Sequence, residues 1–154
     1  MQQLVVELTE RDVLQDGDHH MAEHLHFRGV HLAIDDFGTG NSSLSWLEKL
    51  RPDVLKIDKS FTSAIGIDSV NATVTDIIIA LAHRLNIVTV AEGVETQQQD
   101  EYLRRHGVDI LQGFYYARPM PVEDFPQWLA ARRQVEAMAD NKTGRPPAET
   151  DRPV

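Results

Sequence analysis

Short runs rich in Val, Ile and Leu alternate along the chain with segments of helical periodicity, and each run carries a polar or charged residue at or near its end. Together these features predict an α/β fold of about five parallel βα units, because strands covered on both faces read as nearly continuous apolar runs. With 154 residues, 42% of them hydrophobic and 25% charged, the chain is long enough for one domain with its own core.

The elements follow in order. Leu4 to Leu8 (LVVEL) reads as a buried strand. Asp18 caps a helix that Gly29 ends, with Met21 and Leu25 one turn apart. Val30 to Ile34 forms the second strand and leads into Asp35 and Asp36. Ser42 or Ser43 caps a helix bearing Leu44, Leu47 and Leu50, which Pro52 stops. Val54 to Ile57 is the third strand. Val70, Val74, Ile77, Ile78, Leu81 and Leu85 repeat at helical spacing, with Asn86 at the exit. Ile87 to Ala91 is the fourth strand. Thr96 and Gln99 have the spacing of a capping box, and Gly107 stops the helix they begin. Ile110 to Tyr115 is the fifth strand, and Pro121 suits the first turn of a last helix with Phe125, Trp128 and Leu129. Residues 2–134 are read as the folded part. Residues 135–154, with Pro146, Pro147 and Pro153 and little that is apolar, are read as a flexible tail.

Composition narrows the function. A net charge of −9 argues against a protein that coats DNA or RNA, and against attraction to an anionic membrane. Cysteine is absent, which excludes disulfides, thiolate metal sites and cysteine nucleophiles. The longest apolar stretch, Ile77 to Ala82, is far too short to span a bilayer, and Met1 to Leu8 lacks the basic flank of a signal peptide. A soluble, cytoplasmic chain is the expectation.

The polar residues at the strand ends are Glu7, then Asp35 and Asp36, then Lys56 and Asp58, then Glu92, then Gln112. In a parallel α/β barrel that edge is where active sites are built. Four carboxylates meeting there repel one another, and an all-oxygen cluster suits Mg²⁺, Mn²⁺ or Ca²⁺. Each residue also has a plainer reading. Asp35-Asp36 before Gly38 could be a loop with a helix cap; Lys56 could pair with Asp58 on one strand face; Glu92 could be a turn residue and Glu95 a solvated one. His20 and His24, at helical spacing, are read as surface residues, and Trp46 and Trp128 as packing residues.

The segments Glu7-Leu8-Thr9-Glu10, Asp35-Asp36-Phe37-Gly38-Thr39-Gly40-Asn41-Ser42-Ser43-Leu44, Leu55-Lys56-Ile57-Asp58, Ala91-Glu92-Gly93-Val94-Glu95-Thr96 and Gln112-Gly113-Phe114 resemble the EAL-domain family of cyclic di-GMP phosphodiesterases, over about residues 2 to 132. The resemblance implies a TIM-like barrel and a site with two divalent cations, Mg²⁺ or Mn²⁺, that opens cyclic di-GMP to linear pGpG. It implies Glu7, Asp35, Asp36 and Glu92 as metal ligands, Lys56 as the residue that positions the attacking water, and Glu92 as a general base. Glu10, Asp58, Glu95 and Gln112 then have supporting roles. The loop Phe37, Gly38, Thr39 and Gly40 is implied to couple the site to dimerisation.

The Glu-Ala-Leu motif that names the family is absent, as are the Asn of the next strand and the phosphate-binding Arg. A TIM barrel has eight strands, so the chain is expected to be a partial (β/α) barrel lacking the N-terminal strands. Such a sheet leaves open edges, which a homodimer or a separate N-terminal barrel fragment could cover. Three functions then compete: a phosphodiesterase, weak or inactive as this chain alone; a non-catalytic cyclic di-GMP or metal-binding module; and an interaction protein whose site residues persist unused.

Overall fold

The computed structural model describes residues 4–9, 18–39, 44–67 and 70–133. Five parallel strands form one sheet in the order β1-β2-β3-β4-β5: β1 (Val5–Thr9), β2 (His31–Phe37), β3 (Val54–Ile57), β4 (Val88–Ala91) and β5 (Ile110–Leu111). Each strand pairs with the next in sequence, which requires a crossover between every pair. The crossovers carry α1 (Asp18–Phe27), α2 (Leu44–Leu50), α3 (Lys59–Ser63), α4 (Val70–Arg84) and α5 (Gln97–Arg105). The α/β class and the parallel βα succession are as the sequence predicts.

The period of two along each strand sorts residues onto two faces. Leu32, Ile34, Leu55 and Ile57 join the large core with Leu47, Leu50, Ile78, Ile79, Ala82 and Leu103 of the helices. The alternate residues Ala33, Val54 and Val90 form a second, smaller apolar cluster with Val88 packed against it. Ala33 and Val54 are register partners, and two residues further along their strands stand Asp35 and Lys56. The polar residues of the carboxyl edge therefore sit on the face whose floor is this small cluster.

Several expectations change. The first strand is half-exposed rather than buried, with Leu4 61% and Val5 43% exposed. β1 pairs only with β2, so one of its sides has no strand neighbour among the described residues. The second strand runs on to Phe37 and contains both aspartates. A bulge between Ile34 and Phe37 sets two residues of β2, Asp35 and Asp36, against one of β3, Lys56, and Asp36 takes φ 55°. Asp tolerates this left-handed conformation better than most residues. Simple alternation would drive Asp36 into the core and turn Phe37 outward; with the bulge, Phe37 is buried and Asp36 is exposed.

The helix of residues 70–84 buries Thr75, Ile78, Ile79 and Ala82, not the full stripe read from the sequence: Val70 is 79% and Ile77 61% exposed. In α1, Ala22 is buried while Met21 is 42% exposed, and the helix begins at Asp18 itself. The fifth strand ends at Leu111, because Val94 N–H donates to Gln112 O and Tyr115 N–H to Val94 O, which bends the chain into a turn. α3 was not foreseen; Asp58 caps it by accepting from the Ser60 N–H. The capping box of Thr96 and Gln99 is present, and Gly107 has φ +82° just past α5.

The chain divides into two compact units, one ending at Ala117 and one beginning at Arg118. In the second, residues 125–133 are helical, so this helix begins four residues after Pro121 rather than with it. Phe125 and Trp128 stack there with centroids 5.9 Å apart. The region read as a tail, the side chain of Trp46, and Glu10 and Gly40 lie outside the described residues. His20 and His24 are exposed, as expected.

Candidate active site

The carboxyl edge of the sheet is organised around Lys56. Its Nζ lies 3.1 Å from Glu7 Oε2, 3.0 Å from Asp35 Oδ1 and 2.8 Å from Glu92 Oε1. An ammonium has three N–H donors, and here each meets a carboxylate. Glu7 is on β1, Asp35 on β2, Lys56 on β3, and Glu92 follows β4, so one side chain ties four strands together. The Lys56 side chain is only 12% exposed. Burial opposes its charge, but the hydrogen bonds to Glu92, Asp35 and Glu7 outweigh that and hold its pKa well above the ordinary lysine value.

The neighbours of this cluster are set by backbone. Asp36 is exposed, and among the described residues it makes no ion pair with Lys56. Its carbonyl accepts from Thr39 Oγ1 at 2.9 Å, which folds the start of the loop back on the strand end. Gly38 has φ +95°, and a Cβ there would meet the Phe61 ring at 2.9 Å. Phe37 is buried beside Phe61 in the core, so the loop's root is fixed by packing. Gln112 N–H donates to Ala91 O at 2.9 Å, which places Gln112 beside the strand end that leads into Glu92. Gly113 permits this approach: a Cβ would lie 2.1 Å from Val94 O. The turn beyond is clamped onto α5, where the Tyr116 hydroxyl donates to Asp100, whose two oxygens also share the single Arg104 Nε–H.

Asp58 does not pair with Lys56. β3 ends at Ile57, so Asp58 leaves the strand face and caps α3 instead. Burial works against its charge, yet the hydroxyl and N–H of Ser60 and the N–H of Lys59 hold its pKa below the usual value. Glu95 meets Lys59 Nζ at 2.6 Å, and its N–H donates to Gln99 Oε1. Lys59 was missed by sequence reasoning; the side chain of Lys59 passes so close to Gly93 that a Cβ there would sit 2.4 Å from Lys59 Cγ. The Asp58-Lys59-Ser60 capping sequence was the available signal for α3.

Of the residues singled out in the sequence, the structure thus brings together Glu7, Asp35, Lys56 and Glu92, sets Gln112 and Glu95 nearby on adjoining loops, and leaves Asp36 facing solvent. The donors are carboxylate oxygens that converge on one positive charge, which is the kind of set that suits a hard divalent cation. Their spacing is that of an ammonium: about 3 Å from Nζ, against roughly 2.1 Å for Mg²⁺ to oxygen. Among the described residues no group of three or more His, Asp or Glu is arranged to hold a metal as it stands. The residues fit a cation in chemistry and direction, and Lys56 occupies the point where they meet.

The family signature described as EAL domain matches residues 1–119. The chain belongs to the EAL domain family. Among the EAL relatives, the chain is 72% identical over 130 residues to the probable cyclic di-GMP phosphodiesterase PdeD of Escherichia coli K12; the match covers 84% of this chain and 24% of that protein. It is 46% identical over 122 residues to the bifunctional diguanylate cyclase/cyclic di-GMP phosphodiesterase MucR of Pseudomonas aeruginosa, covering 78% of this chain and 18% of MucR. The solved PaMucR phosphodiesterase in complex with c-di-GMP superposes with a TM-score of 0.75 at 45% identity, over 79% of this chain and 50% of that one. Klebsiella pneumoniae BlrP1, solved with manganese and cyclic di-GMP, gives a TM-score of 0.70 at 35% identity, over 76% of this chain and 30% of that one. The EAL chain therefore spans about a quarter or less of the length of these curated relatives. No helix among the described residues is long and apolar enough to cross a membrane.

Proposed function

We propose that this chain supplies five strands of a metal-dependent cyclic di-GMP phosphodiesterase, hydrolysing the cyclic dinucleotide to linear pGpG. The observation that carries the reading is the convergence of Glu7, Asp35 and Glu92 on Lys56 at the carboxyl edge of a parallel sheet. The relatives' named activity and the c-di-GMP complex of PaMucR support it. Mg²⁺ or Mn²⁺, two ions in the full site, would be held by Glu7, Asp35, Asp36 and Glu92. Such ions neutralise the phosphodiester and lower the pKa of water at the site.

The chain's own residues do the rest. Lys56, with three N–H donors on a flexible stem from β3, orients the water for in-line attack on phosphorus. Glu92, just past β4, accepts its proton. The bond to the 3′ oxygen breaks, and that oxygen leaves with a proton from solvent, giving one terminal phosphate and one free hydroxyl. Gln112 and Glu95 hold the adjoining loops.

In this reading turnover uses an eight-stranded barrel, of which the described residues form five strands. β1 pairs only with β2 among the described residues, so its other edge is where a further strand would pair, supplied by a second copy of the chain or by an N-terminal barrel fragment. A chain that binds cyclic di-GMP without hydrolysing it is the second reading, favoured by carboxylates that stand at ammonium rather than metal distances among the described residues. The deciding experiment incubates the purified chain with cyclic di-GMP and Mn²⁺, alone and with an N-terminal EAL fragment, and separates products by chromatography. pGpG that vanishes in Glu92→Gln supports the enzyme; nucleotide binding without product in every mixture supports the binding module. Light scattering that shows a folded monomer at micromolar concentration would count against the homodimer.

A further inference from the structure

We propose that Lys56 is the resident counter-cation of this site, and that a divalent cation enters it only by displacing the Lys56 ammonium from Glu7, Asp35 and Glu92. The inference rests on the metal-dependent reading above and adds how the metal-free chain holds itself together and what sets its metal affinity.

Three observations lead there. The ammonium uses all three of its donors on three carboxylates, at 2.8 to 3.1 Å, so its position is the centre of their charge. The carboxylates stand at the distances of that ammonium, and no group of them among the described residues is arranged for a metal ion. Asp36, exposed at the bulge of β2, lies outside the ammonium's group and offers a first point of contact to an incoming cation. A metal that takes up oxygen distances of roughly 2.1 Å draws the carboxylates inward and places its charge beside Nζ. Like charges at that separation repel, and the flexible lysine stem lets the ammonium withdraw while remaining near enough to orient water. The exchange gives Lys56 opposite effects in the two states: without metal it joins four strand ends that would otherwise repel, and with metal it is the competitor.

The test uses the chain with Ca²⁺ or with chelator and reads acetylation of each lysine by mass spectrometry, with the exposed Lys49 as internal reference. Lys56 labelling is expected to rise severalfold on metal addition while Lys49 labelling stays level. In parallel, Lys56→Met is expected to bind Mn²⁺ about tenfold more tightly than the unaltered chain, within the usual span of a competitive coupling. The same variant is expected to melt lower in chelator, with the gap closing as Mn²⁺ is added. Should Lys56→Met not fold in chelator, the labelling of the unaltered chain decides alone. Metal uptake with unchanged Lys56 labelling overturns the exchange and leaves the metal-dependent reading standing, as does a folded Lys56→Met that binds Mn²⁺ no more tightly. No uptake of Ca²⁺ or Mn²⁺ by either chain overturns both.

Discussion

At the amino end of the sheet, Asp53 accepts the Leu32 N–H at 2.8 Å, His26 Nε2 stands 3.2 Å from the same oxygen, and His31 Nδ1 lies 3.5 Å from the other. Asp109 likewise accepts the N–H and the hydroxyl of Thr89 on the neighbouring strand. At the carboxyl end, Glu7, Asp35 and Glu92 converge on the Lys56 ammonium. Both ends hold acidic side chains beside cationic or imidazole partners. What differs is the partner that satisfies them. A backbone N–H cannot leave its strand, so Asp53 and Asp109 are joints of the sheet. An ammonium on a flexible stem can leave, so the carboxylates at the other end form a site that can change occupant.

That contrast can be broken in four places. Gly113→Ala has the largest expected effect, because its Cβ would lie 2.1 Å from Val94 O, against backbone that cannot give way. A loss of about 3 kcal/mol or more is expected, read from urea unfolding; a stability within error of the parent would show that the turn beside Gln112 is not pinned as described. Asp53→Ala comes next. It leaves the Leu32 N–H without its acceptor and should cost about 2 kcal/mol, while Lys56 labelling at the far end stays unchanged. A change in Lys56 labelling would mean the two ends are not independent.

Alkaline pH tests both ends of the argument at once. Burial and then Asp76 raise the Tyr102 pKa from 10.0 to about 12, and burial and then Asp100 do the same for Tyr116. The Lys56 pKa is also raised. All three groups hold their protons more tightly folded than unfolded. Their contribution is complete below their ordinary unfolded values and is lost as pH rises through the folded ones, so stability should fall between about pH 10 and 12. Tyr102→Phe and Tyr116→Phe should each flatten that fall in urea midpoints; an unchanged slope in both would count against the two tyrosine hydrogen bonds. The smallest effect is expected for Glu7→Gln. Its side chain is 52% exposed, and Lys56 keeps two other carboxylates, so the loss is about 0.5 kcal/mol or less. A loss as large as that of Asp53→Ala would make Glu7 a joint like Asp53.

How far the sequence was legible varied by element. The strands could be read because both faces of β2, β3 and β4 are covered, and such strands are written as unbroken Val, Ile and Leu. Helix α4 was located correctly but its face was not. Ile77, Ile78 and Ile79 are consecutive, so more than one stripe satisfies a period of 3.6, and only packing against the sheet decides that Ile78 and Ile79 turn inward and Ile77 outward. α3, at five residues, is too short to show a period at all. Most site residues were located by their position at strand ends, and their roles by likeness to the family. The plainer reading that pairs Lys56 with Asp58 does not hold, since side chains two apart share a face only while the strand lasts, and β3 ends between them.

The succession of parallel βα units, the polar and mostly acidic chemistry of the strand ends and membership of the EAL family were therefore determined by sequence alone, since they depend on residue type and local spacing. The bulge that buries Phe37 and exposes Asp36, and the meeting of Glu7, Asp35 and Glu92 on one ammonium, were decided only by the tertiary structure. Those depend on the register between strands 20 or more residues apart in the chain, such as Ile34 opposite Leu55, and register is fixed by packing across the sheet rather than by any local run of residues.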